Sequence, residues 1–490
     1  MSLYIPAILY KAILYKPIPF SYTISVLEIS GTTERLFMKK RIHIDLSTTQ
    51  TIMLSFLLAI LAGSFLLSLP ASSADGRAVP YIDALFTATT SICVTGLVTV
   101  PTFSTWSLFG QIVILILIQI GGLGVVTIMS GLMISLHRRI GIRDRMLIQD
   151  AFNLNTLSGM VKFINKVFLG TFIVETVGAL LYMAVFVPEF GAKGIWLSVF
   201  NSISAFCNAG MDIISESSLY AYVHNPLINI VTILLIVMGG IGYIVWWDVV
   251  KALKNLRRQK LKCFSSLTLH SKIALSTTGI LILAGTVAVF LFEYHNPLTM
   301  GSFTLPEKLL ASLFQSVTTR TAGFATIPQE SLTNASALVS LLLMFIGGSP
   351  VGTAGGVKTV TFTILIVSAF ATMKSKADAE LFHRTVSKQA VNKAVAVVSM
   401  AFIILCASTL LLSAVTDADA LDIAYEIVSA AATVGLTRNL TPGLNMWGKI
   451  IIIITMYLGR VGPISLMIAL NTKKETKNII KNPTEEISVG

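Results

Sequence analysis

Eight apolar stretches, at about 51–70, 109–135, 163–188, 226–250, 272–294, 336–371, 392–415 and 446–470, alternate with polar segments along the chain. Each reaches the roughly 20 residues that a helix needs to cross a bilayer. The stretches fall into four pairs, and between the two members of each pair lies a shorter amphipathic segment: Asp83–Ile92, Leu197–Phe206, Leu310–Thr319 and Asp422–Ala431. These segments are too short to span, which fits helices that enter the membrane and turn back.

Every short segment runs into the same kind of motif: SICVTGL around Gly96, AFCNAGM around Gly210, TRTAGFA around Gly323 and AATVGLT around Gly435. The glycines are separated by 114, 113 and 112 residues, so the chain divides into four like quarters. Chain that turns inside a bilayer is non-helical there, and it survives only when buried in protein or facing a water-filled path. Glycine suits such a turn because it takes positive φ without steric cost and lets backbone carbonyls come close to a ligand. Four turns around one axis can present rings of carbonyls. A half-crossing helix also aims its partly negative C-terminus at that axis, which favours a cation. For any single glycine, a simple helix C-cap is the alternative. The next residues, Leu97, Met211, Phe324 and Leu436, are expected to wedge each turn into its surroundings.

A second glycine cluster follows each motif: Gly121-Gly122-Leu123-Gly124, Gly239-Gly240-Ile241-Gly242, Gly347-Gly348-Ser349-Pro350 and Gly459-Arg460-Val461-Gly462. Small residues there keep a cavity open or let helices pack closely. The third quarter departs from the others, with IGGSPVGTAGGVKT from Ile346 to Thr359 inside an expected span. Five glycines and a proline do not stay helical. This is expected to be the one broken helix and an intramembrane gate, with a static kink as the alternative.

Composition then fixes the solvent: 54% hydrophobic and 12% charged residues, with a mean hydropathy of +0.79, describe an integral membrane protein. The net charge of +12 is mostly a topology signal. Arg138, Arg139, Arg143 and Arg145, six basic residues in Lys251–Lys262, four in Lys374–Lys388 and four in Lys473–Lys481 lie on one side. By the positive-inside rule that side, and both termini, are cytoplasmic. Contact with anionic lipid is the lesser reading of the charge, and nucleic-acid binding is not expected because the basic residues are divided among separate loops. Cys93, Cys207, Cys263 and Cys406 show neither metal-ligand nor disulfide spacing. His43, His137, His224, His270, His295 and His383 form no constellation at membrane depth, so an enzyme is not expected. Residues 1–37 read as an extension outside the core, interfacial or disordered.

Intramembrane charges are functional candidates. Arg320 is expected to pair with a carboxylate such as Glu426, Asp83 and Asp422 to act near helix starts as caps, and Glu175 to have a buried structural partner, with proton coupling as its alternative. Lys358 either closes the glycine-rich segment electrostatically or snorkels to the interface.

Over about residues 45–470 the four glycine motifs, the GGSPVGTAGGVKT stretch and the Gly-Arg-Val-Gly of the last span resemble the Trk/Ktr/HKT superfamily of potassium transporters. The eight-span length is most similar to the Ktr-type membrane subunit. The resemblance implies an all-α integral membrane fold of four covalently linked repeats, each helix, pore helix, filter loop and helix, with eight transmembrane helices around one pseudo-fourfold pore. Expected units are the extension 1–37, repeats 38–158, 159–266, 267–388 and 389–476, and a cytoplasmic tail 477–490. The resemblance implies K+ uptake across a bacterial cytoplasmic membrane, no covalent cofactor and Na+ as an activator. Its expected partners are membrane lipid, a second copy in a homodimer, and a cytosolic ring of nucleotide-binding subunits of the RCK or KtrA type.

On physical grounds the filter replaces the hydration shell of K+ with carbonyls at several weak sites. They are expected from Val94, Thr95, Gly96, Asn208, Ala209, Gly210, Thr321, Ala322, Gly323, Thr433, Val434 and Gly435, the only metal site expected. The gate is expected from Gly347, Gly348, Ser349, Pro350, Gly352, Thr353, Ala354, Gly355, Gly356 and Lys358. Arg460 replaces the second glycine of its cluster, and the resemblance places the matching arginine in the pathway beside the gate, with attachment to backbone carbonyls alone as the alternative. A less selective Na+/K+ transporter is the alternative function. A secondary transporter of another small solute is the further one, and it requires inverted halves with paired broken helices.

Overall fold

The computed structural model describes residues 20–25, 41–135, 159–254, 263–376 and 378–462, with a few residues between 141 and 149. Its first elements are two strands, β1 (Phe20–Ser25) and β2 (Arg41–Leu46), paired antiparallel with Phe20 opposite Leu46. β1 falls within the expected extension 1–37, and its partner β2 falls within the first expected repeat. Residues 1–19 and 26–40 lie outside the described set, as do Arg138, Arg139, Arg143, the basic run at 255–262 and the expected tail.

Apart from a second short antiparallel pair, Glu380–Leu381 with Arg384–Thr385, the regular elements that follow are helical and recur in four like groups. Repeat 1 comprises α1 (Thr48–Leu67), the short α2 (Tyr81–Cys93), α3 (Leu108–Leu123) and α4 (Val125–Ser135). Repeat 2 comprises α5 (Met160–Phe190), α6 (Ala192–Cys207), α7 (Pro226–Ile241) and α8 (Tyr243–Lys254). Repeat 3 has α9 (Leu269–Glu293), α10 (Leu305–Thr318), α11 (Asn334–Phe345) and α12 (Thr359–Met373). Repeat 4 has α13 (Lys388–Ser413), α14 (Ala420–Ala432) and α15 (Met446–Val461). The first helix of each repeat is long and apolar enough to cross a membrane. The protein is a multi-pass membrane protein.

Local chemistry sets the starts of these helices. Ser107, Asn225, Thr333 and Asn445 each cap the helix after a glycine motif by accepting a hydrogen bond from its first free N–H groups. The exposed Thr304 and the half-buried Glu307 make a reciprocal capping box at α10, and hydrogen bonds from Thr304, then His224, hold the Glu307 carboxyl down at about 2. A carboxylate depressed in this way supports the folded state above the ordinary carboxylate range and loses that support as pH falls through 2.

The second spans differ from expectation. Instead of one broken helix there are at least three: α3 and α4 meet at 95°, α7 and α8 at 101°, and α11 and α12 are parted by residues 346–358. The bends occur at Gly124 (φ 86°) and Gly242 (φ 93°), and Gly462 (φ 87°) ends α15 in the same conformation. Positive φ is open to glycine and interrupts the i to i−4 ladder.

Packing closes the four repeats into a ring. α3 packs on α6, α7 on α10, α11 on α14 and α15 on α2, so each second helix leans on the short helix of the next repeat and the last on the first. Close approach depends on glycine: a Cβ at Gly121, Gly239 or Gly459 would collide with the carbonyl oxygen of Ile92, Phe206 or Ala431 near the end of a short helix. The short helices are the buried centre, whereas Leu283, Phe402 and Leu410 on the first helices face outward. Gly121→Ala is expected to destabilise the protein by about 1–3 kcal/mol through overpacking. Gly279→Ala, where nothing lies within 4 Å, is the control expected to leave the thermal midpoint in detergent unchanged.

Candidate functional site

The short helices end on a common pattern. Val94, Asn208 and Thr433, each two residues before a motif glycine, take left-handed conformations at φ 56°, 59° and 54°. The next N–H then reaches back: Thr95 N to Thr90 O, Ala209 N to Ser204 O and Val434 N to Ser429 O, all at 2.8 Å. This is the Schellman arrangement, and it satisfies carbonyls that a helix ending in the membrane would otherwise leave bare. Repeat 3 ends differently, with Thr321 at φ 67° and Ala322 N bonded to Thr318 O at 3.0 Å.

Beyond that turn the four glycines meet. A Cβ at Gly96 would lie 2.5 Å from Ala209 O, and one at Gly210 would lie 2.6 Å from Ala322 O. At Gly323 it would strike Val434 O, and at Gly435 it would strike Thr95 O. Each glycine thus faces the carbonyl just before the glycine of the next repeat, in the order 1, 2, 3, 4 and back to 1. All four glycines have positive φ, and a side chain at any of them would meet both strain and collision. The wedge residues Leu97, Met211, Phe324 and Leu436 are all buried.

A hydroxyl from each short helix pins its loop, a feature the sequence reading missed. Thr90 Oγ1 accepts from Gly96 N at 2.9 Å and Ser429 Oγ from Gly435 N at 3.0 Å, whereas Ser204 Oγ donates to Met211 O and Thr318 Oγ1 to Phe324 O, both at 2.5 Å. Thr90, Ser204 and Ser429 all lie six residues before their glycine, a spacing visible in the sequence.

Directly against this ring lies the glycine-rich segment of repeat 3. Ser349 N and Thr353 N donate to Gly240 O and Gly239 O at 2.8 and 3.1 Å, and Val351 O accepts from Tyr243 N at 3.1 Å, so the break in the second helix of repeat 2 binds the segment backbone. The segment also closes on itself, through Gly347 N to Val357 O at 3.0 Å and Thr359 N to Gly348 O at 3.0 Å. A Cβ at Gly355 would collide with Thr433 Oγ1 at the base of the fourth glycine loop. Lys358 Nζ donates to Ala354 O at 2.6 Å, which ties its charge inside the segment instead of out at the interface. Arg460 reaches the segment from repeat 4 and donates to Thr353 O at 2.7 Å and to Gly121 O of repeat 1. Through these bonds the segment is linked to every other repeat.

Other expected charges sit elsewhere than foreseen. Arg320 does not pair with Glu426: it donates to Gly347 O and to Thr278, while Glu426 accepts from Thr437 Oγ1 at 2.8 Å. Asp83 and Asp422 are not caps. Asp83 pairs with Lys449 and Asp422 with Arg438, both at 2.6 Å: each is the third residue of its helix, in the first turn, with a cation from repeat 4 alongside. Glu175 accepts from Gln119 Nε2 at 3.3 Å, and that partner is half-buried. Cys93 and Cys207 are buried free thiols, and no cluster of metal-ligating side chains occurs among the described residues.

Four helix C-termini converging on a ring of carbonyls can hold a dehydrated cation, since the partly negative helix ends and the oxygens both favour positive charge. Comparison with known proteins places the arrangement. Residues 23–481 match the family described as TrkH, cation transport protein. The chain belongs to that family. It is 39% identical over 460 residues to the potassium/sodium uptake protein NtpJ of Enterococcus hirae, covering 92% of this chain and 99% of that protein. It is 38% identical over 442 residues to the Ktr system potassium uptake protein B of Bacillus subtilis, covering 90% of this chain and 96% of that protein. The structure of the potassium transporter TrkH from Vibrio parahaemolyticus superposes with a TM-score of 0.70 at 15% identity, over 87% of this chain and 84% of that one. As a TrkH-family member the chain is a transport protein and not an enzyme.

In this TrkH-family chain the Asp83–Lys449 pair fastens repeat 4 to repeat 1, and the two side chains are only 9% and 15% exposed. Asp83→Asn alone is expected to cost about 3 kcal/mol by leaving a buried ammonium unpaired. The double variant Asp83→Asn with Lys449→Met should recover most of that loss in thermal unfolding, and additive losses would refute the coupling.

Proposed function

We propose that this protein takes up K+ through a filter formed by the four glycine loops, gated by the segment at 346–358. The observation that carries the reading is the closed cycle in which each motif glycine faces the carbonyl before the next one. A K+ ion entering that cycle exchanges water for the oxygens of Val94, Thr95, Gly96, Asn208, Ala209, Gly210, Thr321, Ala322, Gly323, Thr433, Val434 and Gly435. Rings at successive heights keep each site weak enough for the ion to move on. Uptake of potassium by the Bacillus subtilis relative, as its name states, supports the same substrate here. The name of the Enterococcus hirae relative includes sodium, which supports a second, less selective Na+/K+ reading.

In the proposed gate, segment 346–358 lies across the path below the filter and Arg460 is its latch. The guanidinium holds Thr353 O on one side and Gly121 O on the other, and its charge opposes a cation until the segment moves. The proposal includes four repeat units at 38–158, 159–266, 267–388 and 389–476, and a bacterial plasma membrane location with both termini cytoplasmic, supported by the basic loops. It also includes a homodimer, Na+ as activator and a cytosolic nucleotide-binding ring of the RCK or KtrA type. The word "system" in the Ktr relatives' names supports partnership.

Gly96→Ser is expected to admit Na+ and lower K+ discrimination, because a side chain must displace Ala209 O from its place in the cycle. Ion-specific uptake in a K+-requiring host, with and without external Na+, checks this, and unchanged selectivity would refute the filter. Deleting Gly352–Gly356 is expected to raise K+ flux in the absence of any partner, because it removes the residues that meet Gly239 and Thr433. Flux that stayed wholly partner-dependent would refute the gate.

A further inference from the structure

Arg320 is a buried cation that neither the proposed filter nor the proposed latch uses. It stands three residues ahead of Gly323, where the other repeats carry Cys93, Cys207 and Ala432. Only 7% of it is exposed. Among the described residues its guanidinium meets no carboxylate: Nη1 donates to Thr278 O at 3.5 Å, and Nη2 donates to Thr278 Oγ1 at 3.4 Å and to Gly347 O at 3.2 Å. Nε has no partner among the described residues, and the group lines a small cavity beside Gly240, Thr278 and Gly348. A charge so buried is costly unless fully bonded, yet the other repeats fill the same position with small uncharged side chains.

What distinguishes the third repeat at this position is the contact beneath. In the other three repeats the first glycine of the second cluster lies against the carbonyl of Ile92, Phe206 or Ala431, four residues before the loop glycine. In repeat 3 that contact is absent from the nearest neighbours of Gly347, which lies against Gly355 O instead. The connection between glycine loop and second helix passes through the Arg320 guanidinium. Gly347 is also where the segment leaves α11 and closes on Val357. One side chain therefore joins the third glycine loop, the first helix of its repeat and the root of the segment.

We infer that Arg320 is a positioning residue for transport, holding the Gly347 root of segment 346–358 in its closed place through a charged hydrogen bond. The inference rests on the proposed reading of that segment as the gate. When the bond is lost the segment opens more often, while the glycine cycle above it is unaltered.

The test uses the full chain reconstituted into vesicles without a cytosolic partner, with K+ and Na+ flux measured for wild type, Arg320→Gln, Arg320→Lys and the Gly352–Gly356 deletion. Arg320→Gln is expected to raise partner-free K+ flux about tenfold, the scale of one charged hydrogen bond, at an unchanged K+/Na+ ratio. Arg320→Lys keeps one donor and is expected to give a smaller rise. Flux at or below wild type in Arg320→Gln, alongside raised flux in the deletion, overturns the inference and leaves the gate reading standing. Wild-type flux in both overturns the gate reading and the inference with it. A changed K+/Na+ ratio in Arg320→Gln assigns the residue to the filter and overturns its role at the gate. If Arg320→Gln does not fold, Arg320→Lys decides, and wild-type flux in it is the contrary result.

Discussion

Backbone that is not helical must find hydrogen-bond partners at membrane depth, where lipid offers none. Here four chain turns meet that requirement together. Each short helix ends in a left-handed residue whose successor bonds back to the helix, or in the third repeat a close variant. A pore-helix hydroxyl then fixes the glycine or the residue after it. The carbonyls of Thr95, Ala209, Ala322 and Val434 are directed at the neighbouring glycine, and only a residue without Cβ lets four such turns close into one cycle. The same constraint shapes the layer below. The first glycine of the second cluster lies on a carbonyl of its own repeat's short helix in three repeats, while each second helix also packs on the short helix of the next repeat, the last on the first.

The glycine-rich segment obeys the rule by borrowing. Its N–H groups donate to Gly239 O and Gly240 O, carbonyls at the end of α7 next to the bend at Gly242. A broken helix in one repeat thus supplies partners for non-helical chain from another. Arg460 adds reach, binding carbonyls of repeats 1 and 3 from repeat 4.

The periodic features of this architecture were legible in the sequence. Four glycines at a nearly constant spacing gave the repeats, and the amphipathic segments before them became α2, α6, α10 and α14. The breaks in the second helices of repeats 1 and 2 were not foreseen, because continuous apolar runs conceal a single positive-φ glycine. The last glycine of each cluster, Gly124, Gly242 and Gly462, was the available signal. Ion pairs were illegible for another reason: Lys449 lies 366 residues from Asp83, and no local pattern links them. Arg320 and Glu426 were expected to meet as opposite intramembrane charges, yet Gly347 O and Thr278 serve Arg320 and Thr437 serves Glu426.

An ion held by the carbonyl cycle at Gly96, Gly210, Gly323 and Gly435 is visible by anomalous diffraction from crystals of this protein grown in Rb+, a heavy substitute for K+. Anomalous peaks are expected on the axis enclosed by those four glycines. Rb+ bound elsewhere, with no peak on that axis, rules out an ion site there.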